Sequence, residues 1–319
     1  MAAMPAEIWL PAAALAVEAC LGYPQALYAR IAHPVVWIGK LIETLERRWN
    51  DPARSAAARQ ALGIVTMTIV AGTAGAVGYA IQSGARQLPF GMIVVVLIAT
   101  MGLAQRSLYS HVRGVLQPLA HGDLCAARNS VSKMVGRDTA QLTSSAVAAA
   151  AIESLAESFN DGIVAPAFWL AVGGLPGLFA YKALNTADSL IGHREPRWRA
   201  FGWAAARADD VANLVPARLA GLLIVMAGGG GLRVMCRDAQ RHASPNAGWP
   251  EAAMAGALQV ELGGAATYEG VMHERPLFGA GRRPDAGDLR RSLRIYLGAC
   301  ALLWALALVL AAGAALWPR

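Results

Sequence analysis

From Ile295 to Trp317 the sequence carries no charged side chain. About 20 such residues let an α-helix cross the hydrocarbon of a bilayer, and a helix satisfies its own backbone N–H and C=O groups there. This run predicts a membrane span. Leu62–Ile81 predicts a second, and Phe90–Ala104, short but uncharged, a third. Residues 8–28 nearly qualify, interrupted by Glu18, and read as a retained first helix because no basic leader or cleavage site accompanies them. Two further apolar runs are broken. Gly162–Tyr181 contains Pro166, Gly173, Gly174, Pro176 and Gly177, and Leu214–Gly231 contains Pro216 and Arg218 and ends in four glycines. Broken helices at membrane depth are tolerated where protein covers them or where they line a cavity.

Composition agrees with this reading. Hydrophobic residues make up 56% of the chain and charged ones 15%, against roughly 25% charged in a soluble domain. The net charge of +7 is almost wholly arginine, and the arginines lie between apolar runs. That is the pattern of cytoplasmic loops, not of a nucleic-acid surface with interleaved aromatics, so no nucleic-acid partner is expected. Arg30, Lys40, Arg47, Arg48, Arg54 and Arg59 place the first loop inside, Arg86 alone marks the next as outside, and Arg106, Arg113, Arg128, Lys133 and Arg137 are inside again. Lys182, Arg194, Arg197, Arg199 and Arg207 follow the first broken run. Keeping them inside makes the two broken runs re-entrant or shallow. The expectation is an all-α, polytopic membrane helical bundle in one domain, residues 1–319, with cytoplasmic helical and loop segments. Cys20, Cys125, Cys236 and Cys300 stand far apart without a CxxC, and no HExxH occurs, so no zinc or redox site is suggested.

The polar residues gather in the middle of the chain. Asp138 or Thr139 is expected to cap a helix running to about Asn160. On it Glu153, Glu157 and Asp161 are spaced i, i+4, i+8, which places them in one sector of roughly 80°. Like charges at that spacing repel; a cation, a basic partner or a shared proton relieves them. Magnesium, held by one or two carboxylates while it bridges phosphates, is one such cation. The rival reading is a solvated acidic face, weakened by the apolar GIVAPAFW that follows directly. A second group holds Asn185, Asp188 and Ser189. A third holds Arg207, Asp209, Asp210, Asn213 and Arg218, where Arg207–Asp210 and Asp209–Asn213 are at helical contact spacing. Such pairs often only neutralise each other, yet ionisable groups at membrane depth are functional candidates. Arg128, Ser132 and Arg137 precede the acidic helix and suit phosphate. No P-loop occurs, and the glycines at 228–231 read as a flexible helix end. Residues 244–258 read as a turn entering a helix at Pro250.

HPVVWIGKLI (33–42), GRDT (136–139), ESLAESFNDGIVAP (153–166), NTADSLIG (185–192), ARADDVANLVPAR (206–218) and SPNAGWPEAAMAGAL (244–258) resemble, in order, the signature blocks of the CobD/CbiB family of cobalamin biosynthesis. The resemblance implies a multi-pass ligase of the cell inner membrane whose active site faces the cytoplasm. It implies joining (R)-1-amino-2-propanol, or its O-phosphate, to the free propionate of the corrinoid adenosylcobyric acid, with ATP and magnesium. The bilayer and other cobalamin-pathway enzymes are the implied partners. Together with the chemistry above, it puts catalysis on Glu153, Glu157, Asp161, Asp209 and Asp210, the first three also as magnesium ligands. It puts substrate and phosphate binding on His33, Arg128, Ser132, Arg137, Asn185, Asp188, Arg207, Asn213, Arg218, Ser244 and Asn246, and carries over Asp138 and Glu251 without a role. Glu18, Tyr23 and Ser158 depart from the family pattern, which has Asp, Asp and Asn there; the last two departures remove a carboxylate and an amide and put an essential role there in doubt. A membrane transporter or sensor without ligase activity is the alternative, though no repeated halves occur.

Overall fold

The computed structural model describes residues 7–22 and 33–316; Tyr23 lies outside them. In chain order the helices are α1 (Leu10–Leu21), α2 (Pro34–Trp49), α3 (Ala56–Ala85), α4 (Gly91–Thr100), α5 (Gln105–Ala120), α6 (Leu124–Val131), α7 (Ser144–Phe159), α8 (Ala165–Ile191), α9 (Trp203–Ala212), α10 (Leu214–Gly228), α11 (Leu232–Asp238), α12 (Gly248–Leu258) and α13 (Ala286–Leu316). A π turn, Asn160–Val164, leads from α7 into α8. Between α12 and α13 lie four short strands, β1 (Leu262–Gly263), β2 (Ala266–Tyr268), β3 (Val271–His273) and β4 (Leu277–Phe278). They pair antiparallel as β1 with β4 and β2 with β3.

Among the described residues four helical runs, 56–85, 91–120, 144–191 and 286–316, are long and apolar enough to cross a membrane, and α9 with α10 supplies a fifth apolar stretch. Only 28% of the apolar window of α3 and 22% of that of α13 is buried inside the protein. Ile64, Val65 and Tyr79 on α3, and Leu308, Val309 and Leu310 on α13, are exposed. Apolar faces of this extent are unstable in water and stable against lipid, so the fold is a polytopic helical membrane bundle. The run 162–181 lies within the helical stretch 144–191, and the break that its glycines and prolines imply is found at Gly174.

The chain forms two compact units. The first takes the described residues up to Ala104, then Ala165–Asn213 and the end of α13 from Ala307. Its core joins Ile42 of α2, Met67 and Val70 of α3, Ala187 and Ile191 of α8, and Phe201. At Gly174 the backbone of α8 leaves helical geometry, with φ 61°, a region that favours glycine. The N–H of Leu175, freed by the break, donates to Oε1 of Gln82 on α3 at 2.7 Å. Gln82 is 2% exposed, and its Nε2 donates in turn to Glu7 at 2.7 Å. A side chain thus replaces the lost helical hydrogen bond, as a dry interior requires.

The second unit comprises Gln105–Val164 and Leu214–Leu306. Its α7 starts later than the sequence suggests. Thr143, not Asp138 or Thr139, caps it, accepting from the N–H of Ala146 at 3.2 Å. Asp138 is committed elsewhere: its N–H donates to the carbonyl of Thr267 and its carboxylate accepts from the N–H of Gly270, each at 2.8 Å. It therefore pins the β2–β3 hairpin. The almost wholly buried α12 carries α10 and α11 on its flanks. Of the glycines after α10, Gly229 and Gly230 have open space around them, whereas Gly231 is a tight contact: it has φ 103°, and a Cβ there would come within 2.7 Å of the Ala257 nitrogen.

The Gln82 bridge generates a stability prediction. Gln82→Leu keeps the volume but orphans a buried N–H, which costs about 1–3 kcal/mol. Denaturant titration of the protein in mixed micelles should show that loss, and an unchanged midpoint would mean that the break is satisfied otherwise.

Candidate functional site

In the second unit the charged residues of α7 meet two arginines from distant loops. Glu153 is 3% exposed. Its Oε2 accepts from Nη2 of Arg137 at 2.5 Å and from Nη1 of Arg275 at 3.0 Å, and its Oε1 accepts from the N–H of Gly263 at 2.8 Å. Both oxygens are thus committed. Arg275 also reaches Glu251 of α12, Nη2 to Oε2 at 3.7 Å, and His242 lies 3.8 Å from the other oxygen of Glu251. The His242 Nδ1 accepts from the N–H of Ser244 at 2.9 Å, which leaves Nε2 facing Glu251. Burial, with the charges of Glu153 and Glu157 beside it, pushes the Glu251 carboxyl well above the usual carboxylate range, Arg275 and Arg137 opposing. Among the described residues, Glu251 Oε2 has no hydrogen-bond donor.

Glu157, one turn along α7, is exposed and lies within electrostatic reach of Asp161, Glu153, Arg275 and Arg137. Asp161 sits on the π turn, where Asn160 donates to its Oδ1 at 2.7 Å. The wider turn changes the rotation per residue, yet Asp161 stays within electrostatic reach of Glu157. The result is a fixed carboxylate–guanidinium centre, Glu153 with Arg137 and Arg275, beside an accessible carboxylate. Such a centre can hold an anionic group on uncommitted guanidinium N–H donors and move a proton through Glu157.

The other predicted residues of this unit shape loops. Arg128 Nε donates to the carbonyl of Leu142 at 2.7 Å, and the Ser132 hydroxyl donates to the carbonyl of Asn129 at 2.9 Å. Ser244 Oγ accepts from the N–H groups of Asn246 and Ala247, closing the turn before α12. Arg218 donates to Asn246 Oδ1 at 3.2 Å and lies over the Trp249 ring, 4.6 Å from its centroid.

The first unit has its own polar group. Asn213 Nδ2 donates to Asp209 Oδ2 at 3.0 Å, Tyr181 donates to Asn213 Oδ1 at 3.1 Å, and Asn185 Nδ2 donates to Asp209 Oδ1 at 3.4 Å. Arg207 and Asp210 form the expected pair at 2.7 Å. Asp188 stands one turn before Gly192 at the end of α8, its carbonyl accepting the Gly192 N–H at 2.8 Å. His33 caps α2, its Nδ1 accepting from the Val35 N–H at 3.3 Å. Burial and the Lys182 cation lower its pKa, against a hydrogen bond with the Met101 backbone, and so favour the neutral imidazole.

Arg275, Gly263 and His242 were not singled out by sequence. Arg275 lies 122 residues from Glu153, and no local spacing signals that contact.

A family model described as CobD/Cbib protein matches residues 11–296. The chain is 47% identical over 308 residues to the cobalamin biosynthesis protein CobD of Rhodobacter capsulatus, covering 95% of this chain and 96% of the relative. Identity to the protein of that name from a Sinorhizobium species is 44% over 312 residues, 94% of this chain and 97% of the relative. For that from Brucella suis it is 45% over 306 residues, 91% and 92%. No solved structure matches.

The two buried glutamates should respond differently to loss of charge. Glu153→Gln leaves two largely buried guanidiniums without their counter-charge and should cost about 3–5 kcal/mol. Glu251→Gln replaces a carboxyl whose surroundings favour the neutral form and should cost less than about 1 kcal/mol. Thermal unfolding in detergent ranks them; the reverse order would contradict this electrostatic reading.

Proposed function

The chain belongs to the CobD/CbiB family of cobalamin biosynthesis, and on that premise we propose that it is the ligase that joins (R)-1-amino-2-propanol, or its O-phosphate, to the free propionate of adenosylcobyric acid at the expense of ATP. The observation that carries the reading is an exposed carboxylate, Glu157, next to two guanidiniums held in place by the buried Glu153. A carboxylate does not condense with an ammonium group in water, because oxide is a poor leaving group and the amine is protonated. Phosphorylation of the propionate oxygen with loss of ADP supplies a leaving group. A general base then takes a proton from the ammonium, the nitrogen bonds to the acyl carbon, and phosphate departs.

In this reading Arg137 and Arg275 hold phosphate oxygens with the N–H donors that Glu153 does not use. Glu157 accepts the amine proton. Magnesium fits this centre only in part. The oxygens of Glu153 are taken by arginines and the Gly263 N–H, and among the described residues no group of three His, Cys, Asp or Glu is arranged to hold a metal. Glu157 and Asp161 remain, matching the one or two carboxylates with which magnesium is held when phosphates complete its shell; the ion would neutralise phosphate charge. In the first unit, the family resemblance with the chemistry of the residues assigns Asp209 and Asp210 to catalysis and Asn213 to substrate binding. We further place the protein in the inner membrane with this centre open to the cytoplasm, where ATP and the corrinoid are found; the arginine distribution supports that orientation.

Glu157→Gln tests the reading. The side chain is exposed, so the fold should survive, while cobinamide formation falls on the order of 10²–10⁴-fold, the usual worth of a general base. Near-normal turnover of the purified variant at saturating magnesium would reduce Glu157 to a solvated surface charge.

A further inference from the structure

We propose that the groove between α5 and α13 binds the headgroup of an anionic phospholipid. It lies within the second unit, shares no lining residue with the Glu153 centre, and encloses about 290 Å³. Arg113 from α5 and Arg290 and Arg294 from α13 line it, with Tyr109 and Gln117 beside them, and no Asp or Glu does. All three arginines are exposed, and none forms an ion pair among the described residues. Three positive charges around one cavity repel each other and attract an anion. Arginine's planar fork suits phosphate oxygens.

The position of the groove identifies which anion. Arg294 is the last charged residue before the uncharged run that begins at Ile295 and continues to the end of α13. The groove therefore sits where the span enters the bilayer, the level of lipid phosphates. Leu297 lines the same cavity one turn deeper than Arg294 and is 50% exposed. Charge at the mouth and an exposed apolar surface directly below it match a phosphate headgroup followed by an acyl chain. A free phosphate would use the arginines and leave the leucine face in contact with nothing suited to it.

The test is native mass spectrometry of the full-length protein in detergent, with dioleoylphosphatidylglycerol, dioleoylphosphatidylcholine or inorganic phosphate added. The wild type should take up the phosphatidylglycerol in preference to the phosphatidylcholine, and millimolar inorganic phosphate should not displace it. Arg113→Gln, Arg290→Gln and Arg294→Gln should each weaken phosphatidylglycerol binding on the order of fivefold and leave phosphatidylcholine binding unchanged. Gln117→Glu, which keeps every arginine but sets a carboxylate among them, should weaken it comparably and covers the case in which an arginine variant misfolds. Equal uptake of the two lipids, unaltered binding by the variants, or displacement by inorganic phosphate would each overturn the proposal.

Discussion

Glu153 is the point on which the second unit turns. One buried carboxylate gathers Arg137 from the segment before α7, Arg275 from the loop after β3, and the backbone of Gly263. Removing two guanidiniums from water is costly unless a carboxylate meets them with good geometry. Here one carboxylate meets both and spends each oxygen. Asp138 reinforces the arrangement by tying the β2–β3 hairpin to the segment that bears Arg137. The adjacent residues of GRDT therefore serve one centre in two ways: the arginine enters it, and the aspartate fixes the hairpin that leads to Arg275.

The first unit is governed by a different constraint. A helix at membrane depth cannot break without leaving a backbone N–H unpaired, and α8 breaks at Gly174. Gln82 occupies the gap from α3 and is itself held by Glu7. An apolar span with a single buried amide is thus explained by the defect opposite it.

The sequence made local features legible and left tertiary ones hidden. Uninterrupted apolar runs announced α3 and α13, because burial in lipid is a property of a segment. Arg207–Asp210 and Asp209–Asn213 were legible because helical spacing alone brings them together. The partner of Arg137 was not: Asp138, the nearest carboxylate, is drawn away to a hairpin more than a hundred residues on, and Glu153 takes its place. The same diversion moved the cap of α7 to Thr143, since Asp138 is not available for it. Residues 244–258 read only as a turn entering a helix, with Glu251 given no role, and only the packing of α12 makes Glu251 a buried acid beside Arg275. The π turn at Asn160 also escaped notice, because a 3.6-residue period presumes an unbroken α-helix.

The proposed chemistry rests on a carboxylate oxygen of the corrinoid leaving as part of phosphate. That oxygen can be followed. Adenosylcobyric acid labelled with ¹⁸O in its free propionate, incubated with the purified protein, ATP, magnesium and the amine, should transfer one labelled oxygen to inorganic phosphate for each amide formed, as read by mass spectrometry of the phosphate. Amide formation with unlabelled phosphate would contradict the account.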